Sequence, residues 1–272
     1  MSTTFAAVDN RAPGIPMSRL VRVEMRKLFD TRASMGLLIA MGVLTILIAA
    51  VSVLANINHY RDAPTSSSDI GDPLSFGDLF TSMSIPIGII LPVMAILLVT
   101  SEWSQRTALA TFTMEPRRER IVIAKLATSL IAAAGAVVFA LIVAAIVNVL
   151  AGLFVDGAGS WNLSVGQIGQ MFLIHALGML VGFGFAALFL NTPAAIVAYF
   201  VLPIAVSLVS SLVPWINENL SEWINTDRAG APLLSGAPMT GADWAHVLVA
   251  FGIWILLPLG FGIARIMRSE VK

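Results

Sequence analysis

The sequence has no cysteine, only three histidines, and few charges for its length: 12% of its 272 residues are Asp, Glu, Lys or Arg. Each shortage excludes a class of chemistry. Without cysteine there is no disulfide, no thiolate nucleophile and no cysteine-ligated metal. Three scattered histidines do not assemble a zinc site. No GxxxxGK[ST] phosphate loop occurs, so ATP used on behalf of this chain must be bound by another protein. A soluble domain of this size also needs more charge than this to wet its surface.

Apolar residues stand where charge is missing. They make up 57% of the chain, with a mean hydropathy of +0.88, and they fall into runs rather than alternating with polar residues. Six segments approach the roughly 20 residues that cross a bilayer: about 34–56, 79–100, 122–150, 167–190, 193–213 and 244–265. The third is long enough to tilt or to project beyond the hydrocarbon. Between the fourth and fifth, Asn191-Thr192-Pro193 closes a tight hairpin, with Asn or Thr as cap and Pro at the first helical position. The expected class is an all-α membrane protein with a six-span transmembrane domain over 33–272.

Residues 1–16, with Ala12-Pro13-Gly14 and Pro16, show no apolar period and read as a flexible tail. The first apolar run begins near Ala33 and is too long for a signal-peptide core. Between the two, residues 17–32 form an amphipathic pattern. Met17, Leu20, Val21, Met25, Leu28 and Phe29 share an apolar side, and Arg19, Arg22, Arg26 and Lys27 carry the charge, followed by Arg32. A helix lying in the inner membrane interface needs this division of apolar and cationic residues.

Net charge is zero, but its distribution is not even. The N-terminal flank (Arg11, Arg19, Arg22, Arg26, Lys27, Arg32), the loop between spans two and three (Arg106, Arg117, Arg118, Arg120, Lys125) and the C-terminus (Arg265, Arg268, Lys272) hold all basic residues except Arg61 and Arg228. The positive-inside rule therefore places both termini and loop 101–125 on the cytoplasmic side of the membrane. The opposite loops are acidic. Asp62, Asp69, Asp72 and Asp78 flank Thr65-Ser66-Ser67-Ser68, which reads as a solvated loop rather than a calcium site. Pro214-Trp215-Ile216 through Trp223-Ile224 reads as a short helix with two indoles in the outer aromatic belt.

The spans are almost empty of ionisable groups. No Asp or Glu lies in mid-membrane, which argues against a proton- or sodium-coupled transporter. Ser207, Ser210 and Ser211 have no convincing base and no GxSxG, which argues against an intramembrane protease. His175 in span four is expected to be a packed histidine bonded to a neighbouring backbone, with a place on a transport pathway as the sharper reading. Gly178 and Gly182 form a GxxxG for close helix approach. Pro86 and Pro92 interrupt span two, Pro203 span five and Pro258 span six.

The longest polar segment on the basic side is Ser101–Lys125, SEWSQRTALATFTMEPRRERIVIAK. Glu102 through Met114 has no helix breaker before Pro116, and Trp103, Thr107 and Thr111 recur at four-residue spacing on one face. Arg117, Arg118 and Arg120 then stand at the inner headgroup level, with Lys125 expected to snorkel back toward it.

Glu102-Trp103, Arg106-Thr107, Thr111, Pro116-Arg117-Arg118, Arg120 and Ala124-Lys125 resemble the motif between the second and third spans of type-2 ABC transporter permeases. Glu24-Met25-Arg26-Lys27-Leu28 with Arg32 is similar to that family's elbow helix. Gln105-Arg106 departs from the usual histidine-glycine before the threonine. The resemblance implies a cytosolic coupling helix, with Glu102, Trp103, Arg106, Thr107, Thr111, Pro116 and Arg118 engaging an ABC ATPase subunit. It implies inner-interface anchors at Arg19, Arg22, Arg26, Lys27, Arg32, Arg117, Arg120 and Lys125. It also implies two ATPase copies holding ATP and Mg, a second permease copy or a related permease, and contact with membrane lipids. Spans two and five of the two permeases would face each other. The chain itself would be non-catalytic, hold no cofactor or metal and bind no nucleic acid, and would export an amphipathic drug, peptide or lipid. The alternative is a membrane scaffold or sensor that recruits a cytosolic partner without transport.

Overall fold

A computed structural model describes residues 15–62, 74–105, 107–154 and 158–268. The tail through Gly14, the acidic pair Asp69 and Asp72, Arg106 and Lys272 lie outside the described residues. Among those described, the chain is all helix and no strand, and six helices are long and apolar enough to span a membrane. The protein is therefore a multi-pass membrane protein.

The chain begins with α1 (Met17–Asp30), then turns at Thr31 into α2 (Arg32–Asp62). The second span is broken into α3 (Phe76–Ser82) and α4 (Ser84–Ser104) at Met83. Pro86 explains the position of that break, because its ring crowds the carbonyl four residues back, at Ser82, and it has no N–H to offer it. Pro92, by contrast, is carried inside α4 without ending it. A separate short helix, α5 (Ala108–Met114), precedes the long third span α6 (Arg118–Phe154). The expectation of one helix from Glu102 to Met114 is corrected here. Glu102 and Trp103 form the last turn of the span, the chain turns at Gln105, and only Ala108–Met114 is the outlying helix.

Next come α7 (Val165–Phe189) and α8 (Thr192–Leu212), joined by a turn in which Leu190 takes the left-handed conformation (φ 51°). The cap of α8 is Asn191, whose Oδ1 accepts from the Ala194 N–H at 3.1 Å, so Pro193 occupies the second helical position rather than the first. The expected single helix from Pro214 to Ile224 is two, α9 (Pro214–Asn219) and α10 (Ser221–Ile224), and a further helix, α11 (Thr226–Leu234), follows. The last span is α12 (Gly241–Arg268).

Inside the bundle stand α4 and α7, with 72% and 56% of their most apolar windows buried, against 17% for α2 and α8. The central helices meet through small residues. A Cβ on Gly182 would stand 2.8 Å from the Pro92 carbonyl oxygen, and one on Gly184 would stand 3.1 Å from Pro258 Cγ. Glycine is therefore required where α7 receives the prolines of α4 and α12, and the GxxxG serves packing within the chain. Asp78 has a structural duty as well. Its carboxylate accepts from the Ser75 hydroxyl at 2.6 Å while Ser75 caps α3. No group of three or more metal-ligating side chains occurs among the described residues.

Candidate functional site

Where α1, the end of α4 and the start of α6 meet, four charged side chains share one buried position. Glu24 is on α1 among Leu20, Val21 and Leu28, on the face turned toward α6. Lys125 projects from the second turn of α6, and Glu102 ends α4. Glu24, Glu102 and Lys125 are 4%, 7% and 4% exposed. Lys125 Nζ donates to Glu24 Oε2 at 2.6 Å and to the Leu98 carbonyl at 2.9 Å, and stands 3.2 Å from Glu102 Oε1. Lys27 closes the cluster from its edge, 2.6 Å from Glu24 Oε1 and 2.5 Å from Glu102 Oε1. Two ammonium groups thus balance two carboxylates, and both carboxylates are shared between both cations.

A buried ion pair is stable only when its partners are close and its remaining valences are filled, and this cluster meets both conditions. Burial alone would lower the Lys27 pKa, but the carboxylates of Glu24 and Glu102 outweigh it and raise the pKa above the ordinary 10.5. Lys27 therefore stays charged throughout the neutral range.

The cluster reaches α5 through Thr111, whose hydroxyl lies 3.4 Å from Glu102 Oε1. The Thr107 N–H donates to the Glu102 carbonyl at 2.9 Å, closing the turn between the two helices. A second tie follows α5. Glu115, buried and extended as a residue before proline must be, accepts from Arg120 Nη1 at 2.8 Å. Arg120 also donates to the carbonyl of Ile15, just before α1. Otherwise α5 stands away from the bundle, and its Leu109 and Met114 are 51% and 76% exposed. A cavity of about 670 Å³ separates it from α1, bordered by Lys27, Glu102, Thr111 and Glu115.

Two more arginines finish this end of the molecule by reaching the carbonyls left open in last helical turns. Arg118 donates to the Ile266 carbonyl of α12 at 2.5 Å, and Arg265 donates to the Leu188 carbonyl of α7 at 2.6 Å.

The sequence-derived residues therefore divide. Glu102, Thr111, Lys27, Arg120 and Lys125 are brought together, and Thr107 is adjacent. Trp103 packs half-buried against the core instead of sharing the face of Thr111. Pro116 and Arg117 are exposed at the turn into α6, and Arg19, Arg22, Arg26 and Arg32 are exposed on α1 and the start of α2. Phe29 is also exposed, not on the buried face of α1. Lys125 corrects the expectation of a snorkelling anchor: its ammonium is held inside the protein by two carboxylates and a carbonyl. Arg106 lies outside the described residues. His175 is packed as expected, but the expected bond to a neighbouring backbone is not made by its Nε2. It is 3% exposed in the wall of a second cavity, and its Nε2 has no hydrogen-bond partner among the described residues.

Sequence reasoning passed over Glu24 as a member of the cluster. Its signal was an acid four residues from Leu20 and Leu28, inside an otherwise apolar stripe. A carboxylate in that position needs a cation from another helix. No protein-family model matches this sequence, and no curated protein matches it.

Proposed function

We propose that the chain is the permease subunit of a type-2 ABC transporter, exporting an amphipathic drug, peptide or lipid. ATP hydrolysis takes place on two separate ATPase subunits, and a second permease copy or a related permease completes the assembly. The observation that carries this reading is α5, a helix that stands off the bundle with exposed Leu109 and Met114, tied at its middle to a buried charge cluster through Thr111 and followed by a second ion pair, Glu115 with Arg120.

ATPase subunits that close on ATP act only on parts of a permease that project toward them. Movement of α5 is passed by Thr111 to Glu102, and from there to α4, α6 and α1 through Lys125, Glu24 and Lys27. Just beyond the C-terminus of α5, Glu115 and Arg120 pass it to α6 and to Ile15, two residues before α1. Charge-assisted bonds among four helices transmit displacement with little slack. The basic residues at this end, exposed Arg19, Arg22, Arg26, Arg32 and Arg117 among them, support a cytoplasmic position for it. There α1 lies against the inner leaflet with its arginines at the headgroups. The broad apolar face of α8, including Val201, Ile204 and Leu208, and the exposed Ile85 and Ile89 of α4 face the second permease.

The test is co-purification with an ABC ATPase encoded beside this gene. Glu102→Gln is expected to keep the complex but uncouple its vanadate-sensitive ATPase from substrate. Leu109→Asp with Met114→Asp is expected to abolish the complex while the bundle stays folded. A complex and an ATPase rate unchanged by both variants would rule the assignment out. Partner capture without ATP-dependent movement in sealed vesicles would favour the scaffold instead.

A further inference from the structure

We propose that the cavity between α4, α7, α8, α11 and α12 is a binding site for lipophilic cations. The cavity has a volume of about 410 Å³, within the range of small-molecule pockets. Its wall is mainly apolar, with Pro92, Phe200, Pro203 and Phe251 contributing most of the bulk. Three polar side chains, His175, Tyr199 and Asp227, are part of its lining. His175 is buried, and its Nε2 has no partner among the described residues. Neither the Tyr199 hydroxyl nor the Asp227 carboxylate has a hydrogen-bond partner among the described residues.

The charge balance of this lining decides the ligand class. It contains one carboxylate and neither Lys nor Arg. The nearest basic residue in sequence, Arg228, is occupied. Its Nη1 donates to Ser221 Oγ at 2.7 Å and reaches the Asn217 carbonyl at 3.5 Å. An anion placed here would meet Asp227 with no cation to offset it, whereas a cation would gain that carboxylate at the rim. The rings of Tyr199 and Phe200, with centroids 4.9 Å apart and planes at 88°, add aromatic faces that favour positive charge. The ligand is thus an apolar body with one positive charge. This goes beyond the permease reading, because binding requires no ATPase; within that reading it narrows the cargo class.

The full chain in nanodiscs of zwitterionic lipid is tested with two probes of matched shape, tetraphenylphosphonium and tetraphenylborate, by equilibrium dialysis. The expected result is saturable binding of the phosphonium, with the borate weaker by about tenfold or more. Asp227→Asn, at an exposed position, is expected to weaken phosphonium binding about tenfold. Glu222→Gln, an exposed acid outside the cavity, is expected to leave it unchanged. Absent saturable binding, equal binding of the borate, no effect of Asp227→Asn or an equal effect of Glu222→Gln would each overturn the proposal. A chain that binds the phosphonium but captures no ATPase keeps the site and loses the permease reading; the converse result separates them the other way.

Discussion

The middle and the C-terminal end of α4 are held by opposite means. Around Pro92 the helix is fixed by absence: Gly182 of α7 has no side chain, so that backbone meets proline. At Glu102 it is fixed by charge, with two carboxylates and two ammonium groups drawn from three helices. Close apolar packing is rigid and has one arrangement. An ion cluster is directional and can exchange partners. Under the proposed function, the difference would separate a part of the protein that stays fixed from a part that passes movement on.

This contrast can be broken at either end. The largest expected effect is at Lys125. Lys125→Met leaves Glu24 and Glu102 buried with only Lys27 between them, and is expected to cost about 3–5 kcal/mol, read as a lower unfolding midpoint by tryptophan fluorescence in detergent. Combining it with Glu24→Gln should recover part of that loss, because the excess buried charge is removed. Gly182→Ala comes next. Its Cβ would lie 2.8 Å from backbone oxygen, and overpacking of this kind costs about 1–3 kcal/mol. Gly36→Ala, with nothing within 4 Å of the added atom, is the paired control and is expected to be neutral or slightly stabilising. Lys27→Met should cost less than Lys125→Met, about 1 kcal/mol or below, because its side chain is 36% exposed and solvent screens the pair.

The smallest effect is that of pH on Lys27. Its pKa is raised in the folded protein, so its contribution is complete below the unfolded value and is lost only as pH rises through the folded one. Hydrogen exchange in α1 should thus be flat across the neutral range and rise above about pH 10.5. Loosening of α1 between pH 6 and 8 would mean that some other group holds it.

How much of this could be read from the sequence follows from which interactions are local. Span positions came from apolar run length, and the six long helices match them to within several residues. The tight α7–α8 turn was legible because Asn191 and Pro193 act on their immediate neighbours. The break at Met83 was half visible: Pro86 announced an interruption, but its effect falls four residues upstream. The cluster was not legible as a cluster, because Glu24, Glu102 and Lys125 are far apart in the chain and only packing brings them together. Each did carry a local mark, a charge set among apolar neighbours on one helical face. Lys125 was misread because a lysine near a helix end can reach either headgroups or a buried acid, and periodicity does not distinguish the two. The cavity at His175 depends on five helices and had no sequence signature beyond the histidine itself.

The central claim is that α5 is the surface on which an ATPase docks. The absence of cysteine makes a direct measurement possible, because a single introduced thiol is unique. Met114→Cys on α5 and Trp215→Cys at the start of α9, both at exposed positions, are each labelled with a maleimide–benzophenone and irradiated in the complex with the ABC ATPase. The account predicts an ATPase adduct from position 114 and none from position 215. An adduct from 215, or none from 114 in a complex that hydrolyses ATP, would contradict it.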